Sequence, residues 1–178
     1  MFPGMDESLK GELFATAPAE GPIWIGDIYS LNENQELIPV RFGAHDFILG
    51  FASPHFEAGD EVFLGDFTRT WADEHVPAVP SRLLKMARVD AEHNLFNPDA
   101  WQLDVPQQIF QFGRTMAEAT ALHAQAFPDC KAYYFWAASE QLERLYERSF
   151  RHVNRTCLPG RFRPILEPIG DFHGYQRT

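Results

Sequence analysis

The spacing of apolar positions changes along the chain. Between residues 22 and 70 they fall in short runs, "PIWIGDIYSL", "ELIPVRFG", "HDFILGFAS" and "EVFLGDFT", rich in Ile, Val, Phe and Trp. Turn-formers separate them: Asn32 and Asn34, Gly43, Pro54, and the "EAGD" at 57–60. Such runs predict four strands of an antiparallel meander. Proline has no amide to give to a ladder, so Pro39 is expected at an edge or a bulge. After the break "PAVP" at 77–80, Ser81 reads as the cap of a helix over 82–93, with Leu83, Leu84, Ala87 and Ala91 as its stripe. The stretch 94–106, "NLFNPDAWQLDVP", reads as a loop.

From about 107 to 126 the period is helical, with Ile109, Phe112, Met116, Ala119, Leu122 and Ala126 three and four apart. "KAYYFWA", 131–137, is a continuous apolar run too short for a helix, which predicts a strand covered on both faces. Ser139 then caps a helix with two unlike faces, and Glu140 and Glu143 lie in its first turns. Leu142, Leu145, Tyr146, Ser149 and Val153 form one side, and Arg144, Arg148, Arg151 and Arg155 form the other. "FRPILEPI" and "FHGYQRT" predict a closing hairpin, interrupted by Pro164 and Pro168. The order ββββ–α–α–β–α–ββ places the chain in the α+β class. We expect one domain over 1–178, with an acidic β-rich part over 1–76 and a helical part over 81–178.

Composition adds a few bounds. Sixteen phenylalanines point to an aromatic-rich core. No apolar run approaches the roughly 20 residues that span a bilayer. The start, "MFPGMDESLKGELF", lacks the basic and apolar segments of a secretory leader, so a cytoplasmic protein is expected. Cys130 and Cys157 stand alone, which suits reduced thiols rather than a disulfide or a zinc site.

Charge is unevenly placed. The net charge is −10, yet residues 1–80 hold fourteen acids against three bases, while 138–178 hold seven arginines against five acids. An acidic front repels nucleic acid and suits a basic protein partner. The arginine stripe has three readings: an ion-paired or solvated face, a phosphate-binding face, or a nucleic-acid contact. The charge of −10 argues against the third. We expect Arg144, Arg148, Arg151 and Arg155 to offset the chain's own acidic front, with phosphate recognition as a second use.

The segment from 111 to 176 resembles the acyl-CoA half of the GNAT family of N-acetyltransferases. "GRT" at 113–115 stands where that family has a glycine-rich turn opening a helix, "AYYFWAAS" where a strand follows, and "QLERLYERSF" where the next helix lies. The closing hairpin matches the family's last two strands. The resemblance implies an acyltransferase, intact or degenerate, that moves an acetyl group from acetyl-CoA to an amine. It implies that Gly113, Arg114 and Thr115 hold the diphosphate and that Tyr146 protonates the departing thiolate. Phe110 departs from the pattern, standing where the family has Gln or Arg, and Thr115 stands where it has Gly or Ala. The periodicity over 107–126 competes with this reading, because it would place Gly113 inside a helix and tie up its amide.

Two other classes stay open. One is a non-enzymatic acidic binding protein, such as an inhibitor, an immunity protein or a phage-encoded antagonist. It would meet a basic partner through Asp60, Glu61, Asp66, Asp73 and Glu74. The other is an assembly module that forms a homodimer through exposed aromatics. His45, His55 and His75 lie among acids, but no spacing matches a metal motif, so no metal is assigned. Asp171, His173 and Tyr175 form a polar cluster near the C-terminus.

Overall fold

A computed structural model describes residues 7–19, 21, 23–53, 79–89, 108–136, 140–155, 161–165 and 172–178. The elements in chain order are α1 (Glu7–Leu13), β1 (Ile23–Ile25), β2 (Tyr29–Asn32), β3 (Gln35–Phe42), β4 (His45–Ala52), β5 (Ser81–Arg88), α2 (Gln108–Ala126), β6 (Ala132–Trp136), α3 (Glu140–Val153), β7 (Phe162–Pro164) and β8 (Phe172–Arg177). The strands form one eight-stranded sheet in the order β1-β3-β4-β5-β6-β8-β7, with β2 also pairing with β3. All described pairings are antiparallel except β5 with β6. The class is α+β, as the pattern predicts.

The meander forms where its alternation is clean. Phe42 pairs with His45 across a two-residue turn, and Gly43 takes φ +61°, the left-handed conformation that such a tight hairpin requires. Pro39 falls where the outer partner of β3 changes from β1 to β2, so no ladder is broken by its missing amide. Its carbonyl accepts the Gly26 amide at 2.9 Å. The fourth predicted strand, at 61–68, lies outside the described residues. Pro164 closes β7, an edge strand, where a proline is tolerated.

The helix expected over 82–93 is corrected: Ser81–Arg88 is a strand in the middle of the sheet. Leu84 and Met86 enter the core under α2 and α3, while Leu83 and Ala87 pack on the opposite face. A strand covered on both sides loses its polar alternation, and the run "LLKMA" then imitates a helical stripe. The short helix α1 was not expected. It lays Leu9 and Leu13 on Leu37, Ile48, Ala52 and Ala87 of the second face.

The main core lies on the first face. Phe47, Phe51, Tyr133 and Phe135 of the sheet meet Phe112 and Met116 of α2 and Phe150 and Val153 of α3. Helices α2 and α3 touch directly at Gly113. A Cβ there would stand 2.5 Å from the Ser149 hydroxyl oxygen and 2.9 Å from Leu145 Cδ1. Gly113 thus lets two helices approach closely, and Ser149 turns its hydroxyl inward to donate to the Leu145 carbonyl at 2.7 Å. An alanine in a helix interior normally gains about 1 kcal/mol over glycine. Here the added methyl must push α3 away, so Gly113→Ala is expected to lose about 1–3 kcal/mol of stability. Urea unfolding measures it, and adding Leu145→Ala should recover part of the loss.

Candidate functional site

The β5–β6 pairing runs for only three rows: Ser81 with Ala132, Arg82 with Tyr133, Leu83 with Tyr134. Both strands then continue apart. β5 goes on to Arg88 bonded to β4, and β6 goes on to Trp136 bonded to β8. Among the described residues no ladder joins Leu84–Arg88 to Phe135 or Trp136. The sheet therefore parts at the carboxyl ends of its parallel pair. Ligands characteristically enter open sheets at such a point, where the chain direction pattern switches.

Both main helices begin at this end: Phe112, near the start of α2, packs on Phe47, the ladder partner of Arg88 at the end of β5, and α3 begins four residues after β6 ends. Their first turns differ. α3 opens with Glu140 and Glu143, which disfavour an anion, whereas the first turn of α2 has no acid. The first-turn amides of a helix have no carbonyl partner within the helix itself, and the first described turn of α2 is at Gln108–Phe110.

This corrects the expected diphosphate turn at 113–115. Gly113 is the sixth residue of α2 and is buried against α3, so its amide is bonded to the carbonyl four residues back. Thr115 is buried as well, and its hydroxyl donates to the Gln111 carbonyl at 2.9 Å. Of the three residues only Arg114 is exposed.

Arg114 lies one turn beyond Phe110, on the same side of α2. Phe110 is 49% exposed, and the Arg148 guanidinium of α3 sits over its ring at 5.5 Å. An exposed aromatic ring flanked by two arginines, beside a helix start without acids, makes a patch suited to a phosphorylated ligand.

The arginine stripe thus divides. Arg144 pairs with Glu140 at 3.1 Å and Arg151 reaches Glu147 at 3.6 Å, both within α3 and both exposed, while Arg155 is exposed as well. The expected pairing with the acidic front is corrected for the described acids: Glu36 takes Arg82, and Asp46 takes Arg41 at 2.7 Å. Asp60, Glu61, Asp66, Asp73 and Glu74 lie outside the described residues, as do Cys157 and Asp171.

Tyr146 stands at the parting. Its ring packs on Phe135, the first β6 residue past the parallel rows, with centroids 4.1 Å apart. It is half-buried, and burial pushes its hydroxyl up to about 12, so it keeps its proton at neutral pH. Among the described residues the hydroxyl has no hydrogen-bond partner. Across the ladder from Phe135 stands His173, whose Nδ1 lies 3.1 Å from the Glu143 carboxylate.

Two rows behind the opening lies a buried polar chain that the sequence pattern did not single out. Arg82 grips Glu36 with two bonds of 2.9 Å. His123, fully buried, lies 3.3 Å from Glu36 through Nε2 and 2.9 Å from the Tyr133 hydroxyl through Nδ1. Desolvation holds His123 below its usual range and outweighs the pull of Glu36. The neutral ring then carries its proton on Nε2 and donates to Glu36, while Tyr133 donates to Nδ1. Burial opposes the charge on Glu36, but its bonds with His123 and Arg82 together hold it below the usual carboxylate range. Burial also raises the Tyr133 hydroxyl and the Cys130 thiol, so both stay protonated. The imidazole lies between Phe51 and Phe127, at 3.9 and 4.5 Å. A signal existed: Glu36 is a carboxylate in step with Ile38, Val40 and Phe42 on an apolar stripe, which forecasts a buried partner.

His45 faces Arg88 at 2.7 Å, and His55 and His75 lie outside the described residues. Among the described residues no group of His, Cys, Asp and Glu could hold a metal ion. No described helix is long and apolar enough to cross a membrane. Comparisons with family models, with curated proteins and with solved structures give no match.

Proposed function

We propose that the chain binds an acyl-CoA thioester in the parting between β5 and β6 and passes its acyl group to an amine. The observation that carries this reading is the parting itself, with the acid-free start of α2 on one side and Tyr146 on the other. Past Leu83 no described strand pairs with β5 on the β6 side, and an extended, amide-bearing arm lying between the two strands would run alongside both as an added strand does. The first-turn amides of α2, with Arg114 and Arg148, suit the diphosphate, and Phe110 suits a stacked base. The succession of helix, strand, helix and hairpin over α2–β6–α3–β7–β8 is what the family resemblance asks for. The anion site moves from 113–115 to the helix start and its neighbouring arginines. Tyr146, protonated and with no partner for its hydroxyl among the described residues, supplies the proton that the departing sulfur needs.

Acetyl-CoA is expected to raise the melting temperature, with about 2.7 kcal/mol of stabilisation at a hundredfold excess over Kd. Arg114→Gln and Arg148→Gln should each weaken binding about tenfold, the value of one charge-assisted contact. Neither should affect an acetylated pantetheine that lacks the nucleotide. No thermal shift with millimolar acetyl-CoA, or binding indifferent to both substitutions, would overturn the reading.

A further inference from the structure

His173 of β8 is the ladder partner of Phe135, on the edge of β6 away from β5. The two rings stack with centroids 6.2 Å apart, on the sheet face that α2 and α3 cover, and Tyr146 packs on the same Phe135. Helix α3 holds three acids. Two are tied to arginines four residues on: Glu140 to Arg144 at 3.1 Å and Glu147 to Arg151 at 3.6 Å. The third, Glu143, turns to His173 and lies 3.1 Å from its Nδ1. Both side chains of this pair stay in reach of water, His173 at 34% exposure and Glu143 at 42%. A carboxylate that accepts the Nδ1 proton leaves the lone pair of the neutral ring on Nε2. Among the described residues that nitrogen has no partner.

The two helix starts differ in the charge they suit. The first turn of α2 has no acid, whereas that of α3 has Glu140 and Glu143. A carboxylate beside a reachable imidazole suits a cation that must lose a proton before it reacts. Alkylamines are such cations at neutral pH. We propose that the Glu143–His173 pair takes the acceptor of the acyl group, a primary alkylamine bound as its ammonium ion. This rests on the acyl-CoA reading above. Glu143 supplies the counter-charge and fixes the ring, and His173 Nε2 takes one proton from the nitrogen and passes it to water. The freed lone pair adds to the thioester carbonyl carbon. As the carbon–sulfur bond breaks, its electron pair goes to sulfur, which takes the Tyr146 proton. The second proton of the nitrogen returns to the Tyr146 oxygen. The products are an N-alkyl amide, free CoA and one proton in solution, and no oxidant or further reactant is needed.

The test uses the full chain with acetyl-CoA and butylamine, following amide formation by mass spectrometry and acetyl-CoA binding by calorimetry. His173→Ala is expected to lower kcat/KM for butylamine about 10²–10⁴-fold, the usual contribution of a placed base. Acetyl-CoA should bind this variant as it binds the wild type. Imidazole added to the buffer should restore part of the lost rate in His173→Ala and none in Tyr146→Phe. His173→Asn keeps a donor for Glu143 but has no base, so it should show the same loss. Glu143→Gln should raise KM for butylamine about tenfold, the value of one charge-assisted contact. If His173→Asn transfers as fast as the wild type, or imidazole restores nothing to a folded His173→Ala, this inference falls. If acetyl-CoA binds and the wild type acetylates no butylamine, it falls as well, while the thioester site stands. If acetyl-CoA does not bind, both fall.

Discussion

Glu36→Ala is expected to cost about 3–5 kcal/mol of stability, the range for breaking a buried ion pair from one side. Glu36 is 2% exposed and accepts from both Arg82 and His123. Removing it leaves a guanidinium that is 17% exposed without its counter-charge and a buried Nε2–H without an acceptor. The check is a lower urea midpoint with an unchanged slope. A second variant separates charge from packing. Glu36→Leu with Arg82→Met and His123→Phe replaces the whole chain by apolar groups, and His123 already lies between two phenyl rings. Buried ionic groups are often replaceable in this way, so the triple variant should recover most of the loss. A triple variant as unstable as Glu36→Ala would mean that the network itself, rather than an orphaned charge, sets the stability.

The same network makes stability depend on pH with a definite sign. Both groups hold their protons less tightly when folded, Glu36 below 4.5 and His123 below 6.5. The unfolded chain then binds more protons on the acid side, so stability rises with pH through this range. The contribution is fully present above pH 6.5. It declines first as unfolded His123 begins to take a proton, and again below pH 4.5 as unfolded Glu36 does so, until the folded groups titrate too. Glu36→Ala should abolish the lower of the two steps.

How far the sequence could be read depends on how many faces of an element are covered. β3 and β4 were legible because turn residues bound them, and α3 because Leu145, Ser149 and Val153 form a single buried stripe opposite its arginines. β5 was not, because its two faces are both packed and its run satisfies a helical spacing as well. The period of α2 was legible, but its details were not: Ile109 and Leu122 are exposed while His123 is buried. Gly113 was singled out correctly as a special position and given the wrong reason. Glycine serves a tight turn and a close helix crossing equally well, and only the partner, Leu145 with Ser149, tells the two apart. The parting of β5 from β6 left no local trace. It is a termination of pairing between residues about fifty positions apart, and nothing in either segment alone states where its partner leaves.

That parting gives the tyrosine reading its sharpest consequence. On the acyl-transfer proposal, Tyr146→Phe is expected to lower turnover by about 10²–10⁴-fold, the usual contribution of a placed general acid. Acetyl-CoA binding and stability should be nearly unchanged, because the ring contact with Phe135 survives and the lost hydroxyl has no partner among the described residues. The substrate itself provides the control. A thiolate that is a good leaving group needs little protonation as it departs, so a thioester of a more acidic thiol should lose far less on the same substitution. A purely structural role for Tyr146 would slow both thioesters equally. With its hydroxyl pushed up to about 12, the wild-type phenol stays protonated up to high pH, so the loss in Tyr146→Phe should hold constant across the neutral range. A defect confined to one side of neutrality would assign the proton transfer to another group, and the nearby His173 with Glu143 would be the first to test.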